Sequence, residues 1–201
     1  MTLTERLRTN PTKFDLTICI LTLINRQEQF KQLYEEIRRQ SRNDSVQILG
    51  LLDNKSMTVG SKRNSILSLA QGRYVTFIDD DDMISPDYIK DVLEAIKSDT
   101  DVICFKVKKL INGIYNRTHV YRLNSGPIHR NPRNRKEEFH SPDHLCVWKR
   151  SVIKEGFPDK SLAEDHVWAD RMEKHTKTIF NIDKELYIYN YNEQGSETHR
   201  R

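Results

Sequence analysis

Four consecutive carboxylates, Asp79, Asp80, Asp81 and Asp82, follow directly on the apolar run Tyr74-Val-Thr-Phe-Ile78. Ionised side chains cannot follow such a strand into a buried sheet. The acids must therefore emerge at its carboxyl end, the edge where open α/β sheets bind ligands. Adjacent carboxylates repel one another, and their hard oxygens suit a cation such as Mg2+ or Mn2+. The plainer reading is an acidic turn before a helix, with Ser85 as N-cap and Pro86 at the first helical position. One acid would be enough for that.

Three other groups invite the same kind of question. Asp53 ends the apolar run Val46 to Leu52 much as Asp79 ends its own, so both carboxylates are expected at one sheet edge. There an acid accepts hydrogen bonds from ribose hydroxyls or a base imide, or it closes an Asp-Asn turn. Gly60-Ser-Lys62-Arg63-Asn64 opens a helix, the natural place for an anion. Its two bases oppose the helix dipole at a cost of a few tenths of a kcal/mol, which a negative ligand would offset. The alternative is two solvent-exposed bases. Glu164-Asp165 begins another helix beside Leu162, Ala163, Trp168 and Met172. A carboxyl among apolar groups is expected to titrate high and suits a general base, although acids favour a helix start in any case. His140, His144 and His166 are possible metal ligands, but a lone histidine is more often structural.

The elements that position these groups follow from periodicity. Leu16 to Ile24 is an apolar, β-branched run, expected as a central strand. Phe30, Leu33, Tyr34 and Ile37 give Gln27 to Gln40 an amphipathic helical face. Val46 to Leu52 reads as a buried strand, Gly60 to Gln71 as a helix closed by Gly72, and Pro86 to Lys97 as a third helix. This alternation predicts a parallel sheet with right-handed crossovers. After Asp101 it stops. Val102 to Leu110 and Ile114 to Leu123 read as a hairpin turned by Asn112-Gly113. Asn124 to Phe139 reads as a long loop, His144 to Trp148 as a short strand, Ser151 to Glu155 as a helical turn, Leu162 to His175 as a helix and Ile179 to Tyr191 as closing strand structure.

At 201 residues, 36% hydrophobic and 31% charged, the chain suits one globular core. No run approaches the roughly 18 apolar residues of a membrane span. Met1 to Asp15 lacks a secretory pattern, and Cys19, Cys104 and Cys146 form no metal-binding spacing. They are expected as reduced thiols, which places the protein in the cytoplasm (of the host, if viral). Nine of the 33 bases, and none of the 29 acids, lie between Val102 and Lys136. Such a block is a solvated face or a site for a polyanion.

In order and spacing, these residues resemble the inverting GT-A glycosyltransferases of the family 2 type. The similarity is carried by Thr17 to Ile24 with Asn25-Arg26, Asp53, Gly60-Ser-Lys-Arg-Asn64 and Gly72-Arg-Tyr-Val-Thr-Phe-Ile-Asp-Asp-Asp-Asp82. It resumes at Gly156-Phe-Pro and Ala163-Glu-Asp-His-Val-Trp-Ala-Asp-Arg171, and again at Leu186-Tyr-Ile-Tyr-Asn-Tyr-Asn-Glu-Gln-Gly-Ser196. The resemblance implies an α/β, Rossmann-like GT-A sandwich: a mostly parallel central sheet flanked by helices, with a smaller antiparallel part. It implies one domain over 1–201, with residues 16–100 taking the nucleotide sugar and 101–201 the acceptor.

It further implies a nucleoside-diphosphate sugar, a UDP-sugar favoured, held with Mn2+ or Mg2+ through Asp79 and Asp81. Asp81 would be the direct ligand and Asp79 would lie nearer the ribose. Thr22, Asn25, Arg26, Asp53, Lys62, Arg63, Asn64, Asp79 and Asp80 would line the donor, Asp53 reading its base. Asp165, with Glu164 beside it, would take the acceptor hydroxyl's proton during one in-line displacement, which inverts the anomeric centre. Two features depart from the family. The first strand ends Leu21-Thr-Leu-Ile-Asn-Arg26 rather than in the commoner Pro-Thr-Tyr-Asn-Arg, and the processive Gln-x-x-Arg-Trp signature is missing, so polymer synthesis across a membrane is not expected.

The acceptor stays open. A glycan, or a glycan on a lipid, is the family default. Arg130, Arg133, Arg135 and Lys136 in the acid-free block make a polyanion a rival, including DNA bearing a hydroxymethylated base, as some viral enzymes use. Two other classes compete. A nucleotidyltransferase would want its Gly-rich loop directly after the first strand, where Leu23-Ile-Asn-Arg-Gln stands. A non-catalytic basic nucleic-acid-binding domain leaves Asp79 to Asp82 and Asp165 without a purpose.

Overall fold

The structure is a computed structural model that describes residues 3, 5, 7, 12–41, 45–126 and 128–192. The closing segment's last four positions, 193–196, lie outside that description, as does most of the stretch before residue 12. The first half runs β1 (Phe14–Leu23), a 3-10 turn (Ile24–Arg26), α1 (Gln27–Gln40), β2 (Val46–Asp53), α2 (Val59–Leu67), β3 (Gly72–Asp79), β4 (Met83–Ile84) and α3 (Tyr88–Ala95). β1 is central: β2 and β3 flank it, both parallel. The register sets Leu23 opposite Asp53 and Leu21 opposite Asp79. Two carboxylates from different strands thus reach the same edge, as the strand ends predicted.

Several details differ from the sequence reading. β2 is an outer, half-buried strand rather than a fully buried one. α2 begins at Val59, because the Thr58 hydroxyl caps it by accepting the Ser61 N–H at 3.1 Å. It ends at Leu67 rather than Gln71, and Leu69, beyond its end, is 59% exposed. Gly72 does not close a helix but starts β3. A Cβ there would lie 2.4 Å from the Thr17 nitrogen, so only glycine allows the strands this approach. α3 starts at Tyr88 without Ser85 as its cap. The Gln40 side chain does that work, accepting the Ile89 N–H at 3.0 Å while donating to the Ser85 carbonyl at 2.9 Å. A cap supplied from 49 residues away has no local signature.

The second half contains β5 (Val102–Ile111), β6 (Ile114–Tyr121), β7 (His129–Arg130), β8 (Glu137–His140), β9 (Val147–Lys149), a 3-10 turn (Arg150–Val152), α4 (Glu164–Glu173) and β10 (Ile179–Tyr191). Asn112 and Gly113 have φ of 49° and 79°, the left-handed pair that a type I′ hairpin requires. β9 is antiparallel to both β3 and β5, joining the two halves through Trp148. β10 runs parallel to β5 along its whole length and antiparallel to β4. The stretch expected as a loop holds two short strands, with β8 parallel to β6. Four residues show no period of their own, and their partner is distant in sequence.

The core against α4 is aromatic. Phe157 stacks on Trp168 at 4.4 Å, and Trp148 meets Trp168 edge-on at 5.2 Å. The indole of Trp168 donates to the Glu155 carbonyl at 3.0 Å, and that of Trp148 to the Asp143 carbonyl at 2.7 Å. This packing fixes the start of α4 against the sheet. Among the described residues, no helix is long and apolar enough to cross a membrane, and Cys19, Cys104 and Cys146 are buried and free.

Candidate active site

Asp53 closes the turn after β2. Its oxygens accept the Ser56 hydroxyl at 2.6 Å, the Ser56 N–H at 3.2 Å and the Lys55 N–H at 3.0 Å. Lys62 reaches the same carboxylate at 3.4 Å. The Ser56 hydroxyl foremost, then the Ser56 N–H and Lys62, hold the carboxyl well below the usual range against the cost of burial. Lys62 and Arg63 are therefore not the solvent-exposed bases of the alternative reading. Both are buried, and the protein's own carboxylates partner them. A carboxylate also serves the start of α2, where Asp159 accepts the hydroxyls of Thr58 and Ser61.

Arg63 is the hinge of the site. Its Nε donates to Glu164 at 3.3 Å, one terminal nitrogen donates to Asp79 at 3.3 Å, and the guanidinium lies between the rings of Phe77 and Phe157. Asn64, expected on the donor, braces the loop before α4. Its amide donates to the Phe157 carbonyl and its oxygen accepts the Phe157 N–H, both at 2.8 Å.

Asp79 has both oxygens engaged, one by Arg63 and the other by His144 Nε2 at 3.4 Å. Burial raises its titration, but Arg63 and then His144 outweigh that and hold it well below the usual range. The opposite nitrogen of His144 lies 3.5 Å from Asp165. A buried imidazole thus joins the end of β3 to the start of α4, a placement that the local sequence around His144 does not announce. Burial and Arg63 oppose its protonation, yet Asp79 and Asp165 push it above the ordinary value.

The expected rise of Asp165 does not occur. Burial raises it, but His144, His166 and Arg63 together bring it below the usual value. The apolar wall is present; the cations decide the sign. Asp165 also accepts the N–H of His166 at 2.8 Å, while Glu164 is buried under Arg63. Ala163, just before them, adopts φ 54° and ψ 29°, a left-handed conformation that costs an alanine about 1–2 kcal/mol.

The β3 end is different. Arg26 donates to Asp80 at 2.9 Å and to Asp81 at 3.0 Å. The second oxygen of Asp80 is buried with no hydrogen-bond partner among the described residues. Asp81 is 44% exposed, and partial burial first, then Asp79 and Asp80 against Arg26, push it up to about 6. Asp82 accepts the Tyr187 hydroxyl at 2.6 Å and the Asn190 N–H at 2.8 Å, so it ties β10 to this edge. Burial and Asp79 raise it well above the carboxylate range. Thr22 is buried at the end of β1, and Asn25 is exposed in the turn that follows. Arg130, Arg133, Arg135 and Lys136 are exposed on β7 and the turn to β8. The site therefore gathers Arg63, Asp79, His144, Glu164 and Asp165 into one network and Arg26, Asp80 and Asp81 into a second, with Asp53 and Lys62 forming a separate pair. A cation would find its hard oxygens in the second.

The model of the glycosyl transferase family 2 matches residues 35–157, more than half of the chain. The chain belongs to that family. The match includes Asp53, Lys62, Arg63, Asp79 to Asp82 and His144; Thr22, Asn25, Arg26, Glu164 and Asp165 lie outside it. No curated protein matches the chain by sequence. Among solved structures, it is similar to S. aureus TarS 1-349 in complex with UDP-GlcNAc, at 19% identity and a TM-score of 0.68. That match covers 94% of this chain and 61% of TarS 1-349. It is also similar to the mannosyltransferase PcManGT from Pyrobaculum calidifontis in complex with GDP-Man and Mn2+. There the identity is 13%, the TM-score 0.56, and the coverage 92% of this chain and 61% of the other. The chain thus spans about three fifths of the length of these structures. They share with this family 2 protein the GT-A architecture, a mixed α/β fold around a mostly parallel central sheet.

Proposed function

We propose that this family 2 chain is a metal-dependent, inverting glycosyltransferase that moves a sugar from a nucleoside diphosphate to an acceptor hydroxyl. One observation carries the reading: carboxylates that share a single guanidinium at the β3 end stand beside an Arg63–Asp79–His144–Asp165 chain in which each carboxylate has a nitrogen partner. Asp81 and the unpartnered oxygen of Asp80 fit a hard divalent cation, Mn2+ or Mg2+, better than Asp79, whose oxygens already face Arg63 and His144. When bound, such a cation neutralises charge on a leaving diphosphate.

The protein's own groups divide the rest. Residues 16–100 take the donor: Asp53 accepts from its base, while Thr22, Asn25 and Arg26 stand at the mouth. Residues 101–201 take the acceptor. Asp165 receives the acceptor hydroxyl's proton as the new glycosidic bond forms and the bond to diphosphate breaks. A single displacement inverts the anomeric carbon. His144 orients Asp165, and Glu164 holds Arg63. The buried thiols suit the cytoplasm.

A UDP-sugar remains the favoured donor, consistent with the ligand that TarS holds, while the GDP-Man of PcManGT keeps the base open. A glycan is the leading acceptor, since much of the acid-free block is internally occupied. Lys106 pairs with Asp183, Arg117 with Glu138, and Arg122 lies 3.6 Å over Phe139. The exposed Arg130, Arg133, Arg135 and Lys136 favour a second reading, DNA with a hydroxymethylated base. Activity on DNA would fall with a log–log salt slope of about −0.9 per phosphate contacted. A thermal-shift panel of UDP-, GDP-, ADP-, CMP- and dTDP-sugars, with and without Mn2+, tests the donor half. One nucleotide is expected to stabilise only with metal, by about 2.7 kcal/mol at 100 times its Kd. No shift with any of them would remove the transferase reading.

A further inference from the structure

A second set of ligand atoms lies away from the acid cluster, on the strands of the acid-free block. Alternate residues of a strand share a face, so Glu138 and His140 of β8 point the same way. β6 runs parallel beside them, with His119 opposite Glu138 and Tyr121 opposite His140. One ligand atom from each of His119, Glu138 and His140 lies within 4.8 Å of the other two. The imidazoles are stacked at 4.0 Å, and the residues are only 8% and 7% exposed. Nε2 of each has no hydrogen-bond partner among the described residues. Two neighbouring, unpartnered nitrogens are costly in a buried place unless a ligand satisfies them.

We propose that His119, His140 and Glu138 bind one divalent transition metal of the zinc class, at a site separate from Asp80 and Asp81. Imidazole nitrogens select such ions over Mg2+ or Mn2+, and two histidines with one carboxylate leave a fourth position for water. Glu138 is set for this role. One oxygen is taken by Arg117, and the other faces His140 Nε2 at 3.8 Å. Arg117 thereby orients a ligating carboxylate, as groups behind metal ligands commonly do. Burial first, then a neighbouring imidazole (His140 for His119, His166 for His140), and after these Lys109 and Arg117, disfavour the charged form of both rings. Those two cations oppose a dication, and the Glu138 carboxylate counters them. A tetrahedral ion holds its ligand atoms about 3.3 Å apart, so the rings must swing out of their stack on binding. The ion would fasten β8 to β6, four residues before His144.

The test uses the full chain without a histidine tag, stripped by chelator and titrated with Co2+. One equivalent is expected to give tetrahedral visible bands that Zn2+ displaces. His119→Gln and His140→Gln are each expected to weaken Co2+ binding more than 100-fold, while Asp81→Asn leaves the bands intact. Bands that survive both histidine substitutions would place the ion elsewhere and overturn the site. If a substitution prevents folding, nitrogen NMR of the unaltered protein decides. Zn2+ must move the Nε2 resonances of both histidines, and unmoved resonances or absent Co2+ bands refute the proposal.

Discussion

The end of β3 and the start of α4 offer the same functional group under different electrostatics. At α4, Glu164 and Asp165 share Arg63 and His144 with Asp79, and each of these carboxylates has a guanidinium or imidazole nitrogen within 3.5 Å. At β3, Asp80 and Asp81 share the single guanidinium of Arg26, while Asp82 leans on a tyrosine hydroxyl and a backbone N–H. The first group is held ionised by the fold itself. The second carries more negative charge than Arg26 balances, and partial burial first, then Asp79 and Asp80, pushes Asp81 up to about 6. A carboxylate's task here is set by what surrounds it. Fixed cations suit a base that must keep its orientation, and unmatched charge suits a site that recruits a cation.

Each side of this contrast can be broken separately. Asp165→Asn is expected to lower transfer by about 10²- to 10⁴-fold, the usual worth of a positioned base, with metal-dependent donor binding kept. Rate and calorimetric affinity measured together check this, and a parallel loss of affinity would merge the two groups. Arg63→Met leaves the buried Glu164 and the half-buried Asp79 without their shared cation. Urea unfolding should show a loss of about 3–5 kcal/mol, partly restored by adding Glu164→Gln.

The smallest effect has the opposite sign. The Asp81 carboxyl titrates at about 6 when folded, against about 3.8 ordinarily. Its protonated form therefore contributes stability below about 3.8 that is lost as pH rises through 6. Asp81→Asn should stabilise the metal-free protein at pH 7.5 by about 1 kcal/mol, a value reduced for solvent screening, and by nothing near pH 3.5. Thermal melts at the two pH values measure the difference.

The same contrast separates what was legible in the sequence from what was not. β1, α1, β3 and the Asn112-Gly113 turn follow from period and turn chemistry, which act over a few residues. Asp53 and Asp79 meet at one edge because parallel strands of similar length must end together. The balance of charge at α4 was hidden, because it depends on His144 and Arg63 arriving from distant elements. The Asp165 shift consequently ran opposite to expectation: the apolar neighbours are local, and the cations are not. The brace that Asn64 gives the loop at Phe157 was hidden for the same reason, and Ser85 was misassigned as a cap because the side chain of Gln40 takes that place. β7 and β8 escaped notice because an Arg- and Pro-rich stretch pairs only after β6 is in position.

The most direct measurement is a calorimetric titration of the donor nucleotide into the unaltered protein and Asp81→Asn, each with Mn2+ and with chelator. UDP is the first nucleotide to use. The account predicts one binding event that needs Mn2+ in the unaltered protein and is weakened at least tenfold in Asp81→Asn. Equal affinity with and without metal, or an unchanged affinity in the variant, would contradict the role given to the β3 carboxylates.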